Sequence, residues 1–490
     1  MKKVVITNTY FYKLDPKQWV AQQPYPPLGT LYAAEMLRSN GYQVYFHDST
    51  LADSPDEVAS VLQKENPDYF IIYDDGFNYL TKMCLTIMRD AALAMQKMAK
   101  ASGAVVITSS SDSTDHYLRY LKEGADFVIQ GEGEVTLREL LEKLATKQDI
   151  ATVPGLAFSR QQEVIQTTKR PVVKNLDELP LPAWDLVNIE NYRSIWLKSH
   201  HRFYLNVATT RGCPYKCNWC AKPIYGNRYN SRSPQKVVAE LKYLYHRYGV
   251  DHFWMCDDIF GLKPGWIKEF EEAVKKAAIK IRYKIQSRAD LLLEKNTIES
   301  LVNSGLDEAW IGAESGSQKV LDAMDKGITI PQIYQATKLL KQNGVKVGFF
   351  IQFGYPAETI SDIRKTFRMV LDLMPDALGI SVSYPLPGTP FYQSVRDDLK
   401  QKSNWVDSDD MEVMFRHRYP PRFYKVLHRF LHRMYRCKKL RIELLGKMTK
   451  PQLSVGITFL KWGYHFTNGL MEFFQLAWIE RKASSKTHHA

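Results

Sequence analysis

The sequence predicts an α/β protein with two parallel-sheet units in tandem. An N-terminal doubly wound, Rossmann-like domain precedes a partial (β/α)6 barrel of the TIM type, and a basic, mostly helical region follows. Three observations carry this reading. Short β-rich runs alternate with helical periods over residues 1–145 and again over 201–395. Each run ends in a polar or glycine-bearing loop. Beyond 395 the alternation stops, and Arg and Lys crowd a helical pattern. The divisions are therefore 1–145, a connector at 146–200, the barrel at 201–395, and 396–490.

At 490 residues there is room for two to four domains, each with its own core. The charge balance is 66 − 53 = +13, which suits anionic partners. Six cysteines are too few for a disulfide framework in so long a chain, which points to a reducing cytosol. The N-terminus enters a strand directly, with no signal-peptide pattern, and no long uncharged apolar run predicts a membrane span.

In the first unit, Val4–Thr7 reads as a strand, and Gly29–Ser39 as a helix with Leu31, Ala34 and Leu37 on one face. The strands Gln43–His47, Tyr69–Tyr73, Ala104–Thr108 and Asp126–Ile129 follow, with a long helix over Leu80–Ser102. Ligands of such sheets bind beyond the carboxyl ends of the strands. Those ends are Asn8–Tyr12, Asp48–Thr50, Asp74–Phe77, Ser109–Asp115 and Gln130–Glu134. His47 and His116, near two of them, read as surface or loop histidines. The connector shows no long periodic element. It contains Val153–Phe158, half of a small hairpin, and Leu176–Asp185, where two prolines enforce extended backbone.

The barrel begins with a strand over Arg202–Thr209 that runs straight into Cys213, Cys217 and Cys220. Thiolates at C-x3-C-x2-C spacing can each hold a separate iron of a cuboid cluster. Cys84, Cys256 and Cys437 are too scattered to add a fourth ligand, and Cys256 reads as a small buried residue. A three-thiolate zinc site is the other reading, although structural zinc normally takes four ligands. The helix Pro234–Tyr248 comes next. Then come His252–Met255, Ile281–Gln286, the helix Thr297–Ser304, Glu308–Gly312, Val345–Ile351 and Ala377–Val382. Their trailing loops hold Asp257, Asp258, Arg288, Asp290, the run Ala313–Gln318, the run Gly354–Thr359 and the run Tyr384–Pro390. Active sites of such barrels form at that end. Taken singly, Ser315 and Ser317 are also plausible caps for a helix from Lys319, and Glu358 and Thr359 for one from Ile360.

The cysteine triplet with Trp219 before its last member resembles the radical S-adenosylmethionine (SAM) superfamily. Pro26-Pro-Leu-Gly-Thr30 and Gly131-Glu-Gly-Glu134 resemble the cobalamin-binding domain that precedes many such barrels. The resemblance covers roughly residues 1–395. It implies a 4Fe-4S cluster on Cys213, Cys217 and Cys220, with SAM chelating the open iron. It places Trp219, Arg288, Glu314, Ser315, Gly348, Gly354 and Pro356 around SAM. Glu314 would accept from hydroxyl or ammonium groups and Arg288 would pair with the carboxylate. Gly348 and Gly354 would let the backbone approach the adenine. For cobalamin it implies Pro27, Gly29, Ser109, Asp112, Gly131, Glu132 and Gly133. Two departures stand out. The D-x-H-x-x-G motif of a lower axial histidine is absent, and Thr108-Ser-Ser-Ser-Asp112 replaces a glycine pair. The implied activity is reductive cleavage of SAM to a 5′-deoxyadenosyl radical that functionalises an unactivated carbon of a small-molecule or lipid-like substrate. A flavodoxin or ferredoxin would donate the electron. Methylation, oxidative ring formation as in the anaerobic magnesium-protoporphyrin ester cyclase, and a barrel with a vestigial cobalamin domain all stay open. A zinc-stapled nucleic-acid-binding protein is the remote alternative; no nucleic-acid partner is expected.

Ten basic residues stand between Arg416 and Arg441, and the only acid of the stretch 416–450 is Glu443, with Leu427, Phe430, Leu431, Met434 and Tyr435 at helical spacing. This pattern suits either an anionic membrane surface or a helix packed on the barrel with a solvated basic face. His428 and His432 read as solvated. The aromatic-rich run 453–479 is broken by Lys461, His465, Asn468 and Glu472, so it reads as packed or interfacial. The expected location is cytoplasmic, and the membrane reading of the basic region would place it at the inner face of the membrane.

Overall fold

The computed structural model describes residues 2–222, 224–402, 404–447 and 453–487. The rest of the expected C-terminal region, 448–452 and 488–490, lies outside the described residues, as does Met1, which opens the expected N-terminal run.

The first sheet contains β1 (Lys3–Thr7), β2 (Gln43–His47), β3 (Tyr69–Tyr73), β4 (Val105–Ser109), β5 (Phe127–Ile129), β6 (Leu156–Arg160) and β7 (Glu163–Gln166), in the order β2-β1-β3-β4-β5-β6-β7. The first five are parallel, and β6 and β7 add antiparallel. All of β3 is buried, because Phe70 and Ile72 serve one face while Tyr69, Ile71 and Tyr73 serve the other. Both faces carry helices, as a parallel sheet requires.

Three details differ from the sequence expectation. The helix expected over 80–102 is two, Tyr79–Lys82 and Thr86–Ala101, because Cys84 takes a left-handed φ of +55°. The break frees the Cys84 carbonyl to accept from Asn404 Nδ2. The hairpin β6–β7 extends the first sheet beyond residue 145. The connector also holds an unexpected helix, Ile189–His200, anchored by buried Tyr192 and Trp196 one turn apart. Two aromatics were too few to register as a period.

The second sheet is built from β8 (Leu205–Val207), then, after a ribbon of β9 (Thr210–Arg211) and β10 (Asn230–Ser231), β11 (His252–Met255), β12 (Arg282–Ser287), β13 (Leu306–Glu314), β14 (Lys346–Phe353) and β15 (Ala377–Val382). β8 and β11 to β15 are parallel and lie side by side in chain order, the open six-stranded barrel expected. On β14, Val347, Phe349, Ile351 and Phe353 are buried under the helices, while Phe350 on the lumen face keeps some exposure.

The helices Pro421–Lys447 and Leu453–Thr487 form an antiparallel pair on the barrel. Phe430 packs on Phe367 at 5.4 Å and the Tyr435 hydroxyl donates to the Pro375 carbonyl. The stripe from Leu427 to Tyr435 therefore faces protein. Buried Glu472 joins the two helices through Arg429 and Arg433. His428 and His432 are half-buried and 4.6 Å apart rather than solvated, and burial holds each at about 4. The segment before this pair crosses back to the first domain. Thr86 N donates to the Trp405 carbonyl at 2.9 Å, and Ser408 Oγ donates to Asp15 at 2.6 Å.

Candidate functional site

β8 delivers the chain to a tightly held loop. The backbone N–H groups of Thr209 and Thr210 both donate to Asp257 Oδ1, at 2.7 and 2.8 Å. Burial raises this carboxyl to about 6. Asp258 instead pairs with Lys82 at 2.6 Å. The neighbouring aspartates thus serve the backbone and the first domain respectively. The β9–β10 ribbon closes the loop, and Gly212 makes the turn at φ +79°, where a Cβ would sit 2.3 Å from the Arg228 carbonyl.

From that turn the chain presents Cys213, Cys217 and Cys220, all free and half-buried. The loop is bolted to the barrel by Asn218. Its N–H donates to the Met324 carbonyl, its Nδ2 to the Ala323 carbonyl, and its Oδ1 accepts from the Tyr355 hydroxyl at 2.9 Å. Burial pushes the Cys213 thiol up and the Cys220 thiol up to about 12. Among the described residues, no three His, Cys, Asp or Glu side chains converge where one metal ion would sit. A cuboid cluster has a different requirement, one thiolate on each of several irons. The donor set, three thiols from one braced loop with no competing side-chain ligand, fits that group.

Around the loop stand the ends of the next strands. Trp219 is half-buried, and its Nε1 has no partner among the described residues. Glu314 ends β13 at a left-handed φ of +54°, just past a register shift, and its buried carboxylate pairs with Lys326 Nζ at 2.8 Å. Lys326 in turn lies 5.9 Å from the Trp219 ring. A Cβ at Gly312 would lie 2.6 Å from Lys326 Nζ, so a larger residue there would displace the Lys326 ammonium. Arg288 lies 3.7 Å over the ring of Tyr215, inside the cysteine loop. Its nitrogens donate to the Lys326 carbonyl, the Gly327 carbonyl and Asp290. The fork expected to meet a carboxylate is engaged with protein acceptors, so Arg288 braces the loop.

Other expected residues face elsewhere. Ser315 Oγ lies 3.1 Å from Thr366 Oγ1, buried against the helix Ile360–Leu373. Ser317 does not cap its helix; its hydroxyl donates to Asp362. Thr359 does cap, in a reciprocal pair with Asp362. Gly348 sits well down the lumen, where a Cβ would be 2.4 Å from the Trp310 ring. Gly354 turns at φ +79° beneath Tyr424, and its N–H donates to Glu358 at 2.7 Å. Pro356 opens a cavity of about 260 Å³ shared with Glu358 and with Phe415 to Arg418. Sequence reasoning missed Lys326, which nothing in its local pattern marks. It also missed Lys284, which lies in the lumen near four aromatic rings, closest to Tyr204 at 5.0 Å, and which burial lowers to about 8.

At the carboxyl edge of the first sheet the Gly-Glu-Gly-Glu run reaches the cysteine loop. Glu132 and Glu134 both bind Arg211, at 2.5 and 2.7 Å, and all three are buried. Tyr32, Phe77 and Tyr225 surround the guanidinium at 5.3 to 5.6 Å. Gly133 has no room for a Cβ against Tyr73 and Ser109, and Gly29 packs on the backbone of 74–76. Gly131, at φ +81°, lies near the Ile224 carbonyl of the loop. Asp112 holds Arg89 and the Tyr120 hydroxyl. The helix Leu28–Ser39 starts just after Pro27. Asn8 Oδ1 and Ser111 Oγ, at the ends of β1 and β4, are buried with no partner among the described residues. His47 Nε2 is likewise unpartnered, and His116 leans towards Asp112 at 3.9 Å. Both histidines are half-buried, and burial lowers each.

Residues 207–370 match the Radical SAM superfamily. An uncharacterised methyltransferase of Pyrococcus horikoshii is 27% identical over 384 residues, spanning 78% of this chain and 81% of that protein. The anaerobic magnesium-protoporphyrin IX monomethyl ester cyclase of Cereibacter sphaeroides is 26% identical over 387 residues, 77% of this chain and 61% of the cyclase. The hopanoid C-3 methylase of Methylococcus capsulatus is 26% identical over 74% of this chain and 67% of its own length. Two solved structures share the fold. The cobalamin-dependent S-adenosylmethionine radical enzyme OxsB, bound to aqua-cobalamin and S-adenosylmethionine, superposes with a TM-score of 0.69 at 17% identity over 97% of this chain and 72% of its own. The radical S-adenosylmethionine methyltransferase TsrM from Kitasatospora setae, with cobalamin and a 4Fe-4S cluster, gives 0.66 at 16% identity over 81% and 75%.

Proposed function

The chain is a radical SAM enzyme, and from that premise we propose cobalamin-dependent methylation of an unactivated carbon in a small-molecule or lipid-like substrate. One observation carries the reading: three free, half-buried thiols at C-x3-C-x2-C spacing in a loop braced at the carboxyl end of the barrel. Cys213, Cys217 and Cys220 would hold a 4Fe-4S cluster. Trp219 and Glu314 with Lys326 would border SAM.

The first sheet offers cobalamin less of the expected cradle. Gly29, Asp112, Glu132 and Gly133 are committed to protein contacts, which leaves Pro27, Ser109 and Gly131 at the edge. The unpartnered Asn8 Oδ1 and Ser111 Oγ on that edge suit the amide-rich rim of a corrin, so a fit exists through residues other than most of those expected. When bound, the reduced cluster supplies the electron that cleaves SAM and methylcobalamin supplies the methyl group.

The chain's own residues orient and shield. Arg288 and Asn218 fix the cysteine loop, and Glu314 with Lys326 sets a buried ion pair at the rim of β13. Arg211 ties the cysteine loop to the edge where cobalamin would sit. An oxidative ring closure is the second reading, favoured by the similarity to the cyclase. A flavodoxin or ferredoxin would supply electrons.

The test is anaerobic reconstitution with iron, sulfide and hydroxocobalamin, then metal analysis after gel filtration. About four irons per chain with retained cobalt are expected. Zinc in place of iron would overturn the radical reading, and iron without cobalt would remove cobalamin from it.

A further inference from the structure

The helix Leu453–Thr487 turns one face to the helix Pro421–Lys447 and leaves the other exposed to solvent, with Arg433 over the Tyr464 ring at 5.5 Å and Lys482 over the Trp478 ring at 4.0 Å. Gly469, Glu472, Leu476 and Ile479 are on the covered side. On the open side Leu460, Tyr464, Thr467, Met471, Phe474 and Trp478 follow at steps of four, three, four, three and four residues. That spacing keeps all six on one line. Leu460 is 72% exposed, Phe474 67% and Trp478 53%. The line is about 27 Å long at 1.5 Å per residue, a continuous apolar surface of the kind single scattered side chains do not make.

Charge identifies the occupant. Lys461, Arg481 and Lys482 flank the line on the same helix, and Arg422, Lys425, Arg436, Lys439 and Arg441 are exposed on its partner helix. The acid in the middle of the outer helix, Glu472, is buried and spent on Arg429 and Arg433. Two copies packed face to face would set these basic rims against each other. An anionic lipid surface instead takes the apolar line into its acyl boundary and the rim against its headgroups. No helix among the described residues is long and apolar enough to cross a membrane, so the element would lie in the interface. Of the two readings open for the stripe Leu427 to Tyr435, lipid or barrel, the structure has the barrel.

We propose that the outer face of Leu453–Thr487, from Leu460 to Trp478, docks this chain on an anionic phospholipid surface. This stands apart from the cofactor assignment. The test is sedimentation of the full-length protein with vesicles of phosphatidylglycerol and phosphatidylcholine in equal parts, and with phosphatidylcholine alone. Binding to the mixed vesicles is expected, weaker by at least about tenfold on the neutral ones and in high salt. The combined substitution Leu460→Ser, Phe474→Ser and Trp478→Ser should abolish binding while gel-filtration volume and thermal unfolding stay unchanged. Lys461→Glu with Arg481→Glu, which touches no apolar contact, should weaken it about tenfold. Absence of binding, or binding indifferent to lipid charge, overturns the proposal. So does a wild-type dimer in light scattering that the serine variant makes monomeric, because a second copy would then own the face.

Discussion

Arg211 Nη2 lies 2.7 Å from Glu134 Oε1, and through this contact the edge of the first sheet grips the chain two residues before Cys213. Glu132 takes the other arm of the guanidinium, and also accepts from the Val173 N–H. Burial works against both carboxylates, and the shared cation offsets it. Replacing Arg211 by Met should leave two buried carboxylates facing one another. A loss of about 3–5 kcal/mol in urea unfolding is expected. Restoring most of it with Glu132→Gln and Glu134→Gln in the same chain would show that the loss is electrostatic.

The cysteines should divide into two groups. Serine at Cys213, Cys217 or Cys220 is expected to abolish iron retention after anaerobic reconstitution and the brown absorption with it. Serine at Cys84, Cys256 or Cys437, each outside the loop, should leave the iron content within experimental error of wild type. Loss of iron from the second group would break the assignment of the loop.

Gly212 bears the tightest backbone constraint in the loop. At φ +79° with the Arg228 carbonyl where a Cβ would go, alanine must move the ribbon. Gly212→Ala should cost more than about 2 kcal/mol. Gly226→Ala, where φ is +68° with open space around the Cβ, should cost about 1 kcal/mol. Equal losses in thermal unfolding would show that the left-handed turn alone is at issue.

Glu358 sets a pH dependence. Burial raises its carboxyl from 4.5 to about 8, against a smaller lowering by the Gly354 N–H. The folded state thus binds the proton more tightly than the unfolded chain does. Its contribution to stability is fully present below about 4.5 and is lost as pH rises through about 8. This group should therefore cost wild type stability between about pH 4.5 and 8, and Glu358→Gln should lose less over that window, by more than about 1 kcal/mol. Identical slopes in the two urea series would mean that Glu358 ionises without cost.

What the sequence determined was local and periodic. Strands Gln43–His47, Tyr69–Tyr73, His252–Met255 and Ala377–Val382 stand where alternation and β-branched runs set them, because those signals lie within a few neighbouring residues. The cysteine spacing likewise fixed which thiols share a loop. Tertiary structure decided what each rim residue faces. Glu132 looks like a ligand residue in its motif, yet it and Glu134 bind an arginine some eighty positions away. Arg288 stacks on Tyr215, and Lys326 reaches Glu314 across the turn after β13. The helices Pro421–Lys447 and Leu453–Thr487 each carry an apolar stripe. Only packing chose which one the barrel buries, since burial depends on what lies opposite in space and a helical period records only that a face exists.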